Sequence, residues 1–232
     1  MQIEVNWSPD VSSKLQDLAL CIGISQGVRI QKDNEQLRRL KQIVYEEVRS
    51  KHEIDRLKEN PTVRAFRDFY WRLGIDPTKT RPSGEALLRR VLHDEELPCI
   101  SNIVDAYNLA SMKTIIPISG FDLDRLAPQF QVRFAEENES FKGIGMKTPI
   151  LLRSNMLVLA DAKRVLCIYP YRDCDHTKIA TTTRNVELVG YGAPGISPKQ
   201  VRQAVETALS FITTVAGGKI VETKVFYSKS EY

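Results

Sequence analysis

The chain has 232 residues, 42% of them hydrophobic and 27% charged, a globular balance that excludes collagen-like, low-complexity and long disordered classes. A chain of this length buries roughly 70% of its unfolded surface without a disulfide or metal staple, and its 33 basic and 29 acidic residues leave a mild net charge of +4. No run approaches the roughly 18 apolar residues of a membrane-spanning helix, and Met1–Trp7 lacks the basic-then-apolar order of a secretory signal, so the expectation is a cytoplasmic protein.

Taken in chain order, residues 2–7 alternate loosely and predict a short strand. Ser8-Pro9-Asp10, with Pro at the first helical position, predicts a helix to about Leu20. Residues 21–30 have period-two character and predict a strand. Asp33 is the expected cap of a long helix whose Leu37, Leu40, Val44 and Val48 form one apolar stripe. Asn60-Pro61 opens a second helix, with Val63, Phe66, Phe69, Tyr70 and Leu73 on one face and Gly74 as its stop. A turn-rich loop, Asp76–Ser83, leads to a helix over Glu85–His93. Ser101 caps another from Asn102 to about Lys113. The centre, about 115–196, turns β-rich: Phe130–Phe134, Phe141–Ile144, Met156–Leu159, Val165–Tyr169 and Val186–Tyr191 are separated by Gly, Pro, Asp and Asn. Ser197-Pro198-Lys199-Gln200 is a capping box. Its helix ends at Gly217-Gly218, and Ile220–Tyr227 is a last strand. This pattern predicts a single α+β domain over 1–232, with an α-rich part to residue 94 and a mixed or antiparallel sheet core with flanking helices behind it.

Cys21, Cys99, Cys167 and Cys174 form no CxxC and are expected to be buried or semi-buried thiols in a reducing compartment. His52, His93 and His176 lie far apart, no metal-ligand spacing exists, and neither a metal nor a cofactor is expected. The charge is unevenly spread. Residues 29–90 carry 16 Lys/Arg against 10 Asp/Glu, while the rest carries 17 against 19. A local basic excess is either an electrostatic footprint for a polyanion or a set of solvated helix faces.

Three constellations hold candidate chemistry. Gly143-Ile144-Gly145 is half of a dinucleotide fingerprint, but no helix follows to hold a pyrophosphate. Asn102, Asp105 and Asn108 share one face of a helix, where they either face a ligand or fasten neighbouring loops. Tyr169–Lys178 is the densest polar cluster: Asp173 and Asp175 can hold an ammonium group, pair Arg172 or orient His176, and His176 can move a proton near neutral pH. The competing reading is an Asp/Thr-rich turn that satisfies its own backbone.

Three further runs carry a family likeness. They are Leu97–Asn108, Ile116–Leu126, and Leu157-Val158-Leu159-Ala160-Asp161 with Thr183-Arg184-Asn185-Val186 downstream. In order and spacing they resemble the tRNA-editing domain formed by the third and fourth modules of the bacterial phenylalanyl-tRNA synthetase β subunit. The likeness covers about residues 95–196. The Phe66–Arg72 helix and the Asp76–Pro82 loop resemble stand-alone members of that superfamily. Two positions depart from the synthetase pattern. Ser119 stands where it has a His, and His176, beside Asp175, stands where it has a Glu that helps recognise tyrosine.

The resemblance implies a pocket for an aminoacyl group on the 3′ end of tRNA and water attack on its ester, acting in trans. The implied site joins the polar face of the 102–113 helix, a Ser119–Asp122 turn, Gly143–Gly145 and the 172–177 loop. His176, Asp175, Asp173 and Ser119 are the catalytic candidates. Asn102, Asp105, Asn108, Phe121, Asp122, Gly143, Gly145, Arg172 and Thr177 are the substrate-binding candidates. Arg38, Arg39, Arg49 and Arg64, with Arg67 and Arg72 behind them, are the expected phosphate contacts on tRNA. The alternatives are a non-catalytic module binding an amino acid, aminoacyl-tRNA or other RNA, and an enzyme of small metabolites. The expected assembly is a monomer or weak homodimer, away from membranes.

Overall fold

Strand pairing and helix capping set the elements of the computed structural model, which describes residues 3–228. The first half holds β1 (Val5–Trp7), α1 (Pro9–Lys14), β2 (Ala19–Gln26), α2 (Glu35–Lys51), α3 (Pro61–Arg72), α4 (Ser83–Leu92) and α5 (Asn102–Thr114). Eight strands follow in the centre: β3 (Ile118–Asp122), β4 (Phe130–Phe134), β5 (Ser140–Phe141), β6 (Ile150–Leu151), β7 (Leu157–Ala160), β8 (Val165–Ile168), β9 (Arg172–Asp173) and β10 (Asn185–Tyr191). Helix α6 (Pro198–Ala216) and β11 (Lys219–Tyr227) complete the described chain. The architecture is α+β, as the sequence pattern predicts.

Local chemistry explains the helix starts. The Asn60 side chain accepts from Thr62 N and Val63 N ahead of Pro61. Ser101 accepts from Val104 N. Ser197 and Gln200 satisfy each other's backbone N–H groups. Each such cap contributes about 1 kcal/mol.

The strands form a four-stranded antiparallel sheet ordered β11-β2-β10-β3 and a five-stranded sheet ordered β1-β4-β7-β8-β9, with β5–β6 as a separate pair. β2 and β10 are buried along nearly their whole length, because each face of the four-stranded sheet is covered. One face carries α5 and α6. A Cβ at Gly23 would lie 2.5 Å from Val205 Cγ1, and one at Gly120 would lie 2.5 Å from Tyr107 Cε1. Only glycine admits the helices this closely. The other face meets the five-stranded sheet, where Tyr191 packs edge-on against Tyr169 with centroids 4.8 Å apart.

Several elements differ from expectation. The first helix stops at Lys14 rather than near Leu20. Val11, Leu15 and Leu18 are all buried at helical spacing, but Ala19 and Leu20 are drawn into the β2 ladder. That strand runs 19–26 rather than 21–30, and Gly27 turns away at a φ of +74°. Asn34, not Asp33, caps α2 by accepting from Leu37 N, while Asp33 pairs with Arg38. The expected Ser119–Asp122 turn is a fully buried strand, because β10 pairs with it residue for residue. Cys99 is exposed, whereas Cys21, Cys167 and Cys174 are buried. Gln2, the start of the expected first strand, lies outside the described residues. Among the described residues no helix is long and apolar enough to cross a membrane.

One buried acid has no counterpart. Glu187 in β10 is fully buried, and neither carboxylate oxygen has a hydrogen-bond partner among the described residues. Burial pushes its pKa from the usual 4.5 to about 8, and Asp161 and Glu222 add to the rise. The folded state therefore keeps a proton that the unfolded state loses first. Stability contributed by that proton is fully present in acid and is lost as pH rises through the unfolded carboxylate range toward about 8. Glu187→Gln should flatten this dependence. Thermal denaturation across pH 5 to about 8 should show the variant gaining on the parent as pH rises; parallel curves would contradict the assignment.

Candidate functional site

A cavity of about 140 Å³ opens where the edges of the two sheets meet α5. At roughly 30 Å³ per water, it holds four or five waters' worth of ligand. That suits the reacting end of a small molecule better than a nucleotide. Its walls come from four places: Ser83 at the start of α4, Tyr107 and Asn108 of α5, Pro117–Ser119 entering β3, and Pro170, Tyr171 and Asp173 around the β8–β9 turn.

One hydrogen bond crosses between the sheets at this point. Ser119 Oγ donates to Asp173 Oδ1 at 2.5 Å. Cys167 sits opposite Asp173 in the β8–β9 register. Burial raises the Asp173 pKa to about 6, opposed by hydrogen bonds from Ser119 and Cys167 and by the Arg172 charge. Burial also pushes the Tyr107 phenol up, and Asp173 and Asp105 reinforce that. The site thus holds one carboxyl that titrates near neutrality beside one phenol that stays protonated.

One further polar group at the cavity is buried without a partner. Ser83 Oγ is buried without a hydrogen-bond partner among the described residues. Tyr107 and Asn108 stand beside it, Asn108 partly open to solvent. Enclosed polar groups are normally paired, so the Ser83 hydroxyl marks a place where a polar ligand or ordered water completes the bonding. Chemically, the arrangement offers a base, two donors and a hydroxyl around a small volume. Among the described residues no cluster of three or more His, Cys, Asp or Glu is placed to hold a metal.

The remaining candidates divide clearly. Of the expected catalytic residues, Ser119 and Asp173 meet in the cavity. Asp175 instead pairs with Lys178 at 2.7 Å, which holds its carboxyl below the usual range. His176 is exposed, and its carbonyl accepts from Arg125. Neither lines the cavity. Of the expected polar row on α5, only Asn108 faces it.

Asn102 and Asp105 point elsewhere and fasten the fold. The Asn102 carboxamide accepts from Gln31 N and donates to the Arg29 and Val215 carbonyls. Asp105 accepts from Ile100 N at 3.0 Å and pairs with Lys41 at 2.6 Å. Asp122 accepts from Thr183 Oγ1 and Asp124 N. Phe121 is core. Thr177 is fully buried, with its hydroxyl unpartnered among the described residues. Gly145 sits at a φ of +80° in open space. Gly143 leaves room for Arg172, whose Cγ would lie 2.7 Å from a Cβ there. Arg172 is exposed and reaches the Ile144 carbonyl.

The basic candidates are mostly solvated. Arg38 and Arg39 pair with Asp33 and Glu35 on the exposed surface. Arg49 pairs with Asp94 at 3.0 Å, and Arg64 reaches the Lys58 carbonyl. Such exposed pairs are worth little, and the charges remain open to a polyanion. Arg67 differs, because it forks onto the buried Glu85 together with Arg89. Burial alone would raise the Glu85 carboxyl, but the two guanidinium groups hold it below the usual range.

Comparison with known proteins decides the relationship. The family model described as the B3/4 domain matches residues 65–217. The chain belongs to the B3/4 domain family. Its relatives include the phenylalanine–tRNA ligase β subunit of Haemophilus ducreyi, 27% identical over 146 residues, or 53% of this chain and 18% of the relative. That of Pseudomonas fluorescens (strain Pf0-1) is 28% identical over 170 residues, or 62% and 21%. The chain spans about a fifth of the length of these relatives. An N-terminal fragment of the phenylalanyl-tRNA synthetase β subunit from Pyrococcus horikoshii shares the fold. Its TM-score is 0.52 at 16% identity, covering 95% of this chain and 50% of that one. The B3/4 match begins inside α3, ahead of the 95–196 segment in which the sequence motifs lie, and runs to the end of α6.

Asn102 gives a direct test of the fastening role. Asn102→Ala leaves Gln31 N and the Arg29 carbonyl without these partners, while Asn34 still donates to the Val215 carbonyl, so stability should fall by about 2 kcal/mol in denaturant titration. Any activity of the folded fraction should be unchanged.

Proposed function

We propose that this B3/4 domain protein hydrolyses the ester of a mischarged aminoacyl-tRNA in trans. What the relatives' names say, that they are tRNA ligase subunits, is carried to this chain as part of the proposal. The observation that carries it is the Ser119–Asp173 pair at the wall of a small cavity that Ser83, Tyr107 and Asn108 also line.

The reaction assigns each group a task. Ser119 holds Asp173 Oδ1 and leaves the second carboxylate oxygen to take a proton from water. The water oxygen attacks the ester carbonyl carbon, and negative charge develops on the carbonyl oxygen. The Tyr107 hydroxyl and the Asn108 Nδ2 are the donors for that oxyanion. The ester C–O bond then breaks, and the proton passes to the leaving ribose oxygen. The products are a free amino acid and tRNA with a free terminal hydroxyl. The exposed Arg38, Arg39, Arg49 and Arg64 supply long-range attraction for tRNA phosphates. The setting is the cytoplasm, where aminoacyl-tRNA is made.

A binding module without catalysis is the second reading. It is favoured by the positions of Asp175 and His176, which stand outside the cavity lining.

The pH profile separates the two. Only ionised Asp173 accepts the proton. After subtraction of the uncatalysed rate, kcat/KM should therefore rise with pH and level off above about 6. Asp173→Asn should lower it by roughly 100-fold or more. Ser119→Ala removes a bond that lowers the Asp173 pKa, so the midpoint should move to higher pH while turnover persists. If every member of a panel of mischarged tRNAs decays at the buffer rate, the hydrolase reading is overturned. Saturable binding without turnover then assigns the binding module.

A further inference from the structure

Ser83 lines the Ser119–Asp173 cavity and has no task in the hydrolysis. Its Oγ is sealed from solvent and has no hydrogen-bond partner among the described residues. Leaving a buried hydroxyl unpaired costs stability. Other serines at helix starts are used: Ser101 and Ser197 accept from backbone N–H groups as caps. Ser83 stands one place later, inside α4 behind Pro82, and caps nothing.

The residues behind it hold it in place. A Cβ at Gly84 would lie 2.7 Å from the Ile115 carbonyl carbon and 2.9 Å from the Ser111 carbonyl oxygen, so the first turn of α4 sits directly on the end of α5. Glu85, the next residue, is forked by Arg67 and Arg89. Neither contact uses the Ser83 hydroxyl, yet both fix where it stands. A group already held in place needs no further ordering when a ligand arrives.

Size, depth and charge decide what it fits. The cavity holds roughly four or five water-sized groups. An amino group, an α-carbon, a carbonyl and a hydroxymethyl group come to about that many, and an aromatic ring exceeds it. The ester of an aminoacyl-tRNA joins a polynucleotide, so it must lie toward the open side, where Asn108 is partly exposed. The amino-acid side chain is then directed to the sealed side, where the Ser83 hydroxyl is. Helix α4 opens without a side-chain cap, so its first N–H groups put partial positive charge beside Ser83. That disfavours the α-ammonium there and favours an oxygen.

We propose that Ser83 makes this cavity select an aminoacyl group with a small hydroxylated side chain, through a hydrogen bond between the Ser83 hydroxyl and the side-chain oxygen. This rests on the reading of the cavity as the place that receives an aminoacyl ester, and adds which class of amino acid that ester carries.

The experiment presents the full chain with one acceptor RNA charged in turn with serine, alanine and tyrosine, so that only the side chain changes. After subtraction of the uncatalysed rates, the seryl ester should exceed the alanyl ester in kcat/KM by about tenfold, the size of one hydrogen bond, and the tyrosyl ester should be the poorest. Ser83→Ala should bring the seryl-to-alanyl ratio close to one, by loss on the seryl side. Its thermal stability should equal or exceed the parent's, since the hydroxyl it removes has no partner among the described residues. An unchanged ratio assigns the hydroxyl to an ordered water and overturns the proposal. So does a preference for the tyrosyl ester, or a variant that unfolds, which gives the hydroxyl a structural task. Selection and hydrolysis fail separately. Amide-linked seryl-adenosine and alanyl-adenosine carry no ester and report binding alone. Tighter binding of the seryl amide that vanishes with Ser83→Ala, with no ester turned over, keeps the selection and removes the hydrolase. Turnover indifferent to the side-chain hydroxyl keeps the hydrolase and removes the selection.

Discussion

The hydrogen bond from Ser119 to Asp173 joins the edges of the two sheets. Ser119 belongs to β3, the edge of the four-stranded sheet, and Asp173 to β9, the edge of the five-stranded one. Charge-assisted bonds of this kind are stronger than neutral ones. This one fixes the angle at which two edges close on α5. The cavity exists because the edges stop short of full contact there, and Tyr107 and Asn108 fill only part of the gap.

The protein treats its buried acids in three ways. Glu85 is held between two guanidinium groups. Asp161 accepts from the backbone N–H groups of Ala127, Lys163 and Arg164. Both arrangements stabilise the charge they enclose. Glu187 has neither kind of partner among the described residues, and burial favours its protonated form. Asp173 lies between these extremes, with a hydroxyl and a thiol for company and no full countercharge in contact. A carboxyl with intermediate solvation is the one whose charge changes in the range where an enzyme works.

Local chemistry was readable from the chain because its causes are local. Asn60-Pro61, Ser101 and Ser197–Gln200 announce helix starts through bonds made within three residues. The β-rich centre and the capping of α6 follow the same logic, and the ordered motifs led to the correct family. β3 was hidden because Ser119-Gly120-Phe121-Asp122 has a turn's composition, and only its pairing with β10 makes it a strand. Asn102 and Asp105 were recognisable as groups needing partners, yet those partners are Lys41, Arg29 and Val215, far along the chain. Tyr107 reads as one more apolar residue of α5 until Asp173 appears near its hydroxyl. Convergence of distant segments leaves no periodic trace, so the fold was more legible than the site.

Gly23 shows how far the site's precision reaches. It lies in the middle of β2, with Val205 and Leu209 pressed against the space a methyl group would fill. Those side chains belong to α6, which packs along α5, and α5 carries Tyr107 and Asn108. A single added carbon at residue 23 would force Val205 and Leu209 to shift and strain the seat of α6 on the sheet. The spacing of Tyr107 and Asn108 along the cavity is thereby set in part by the emptiness of a position outside it.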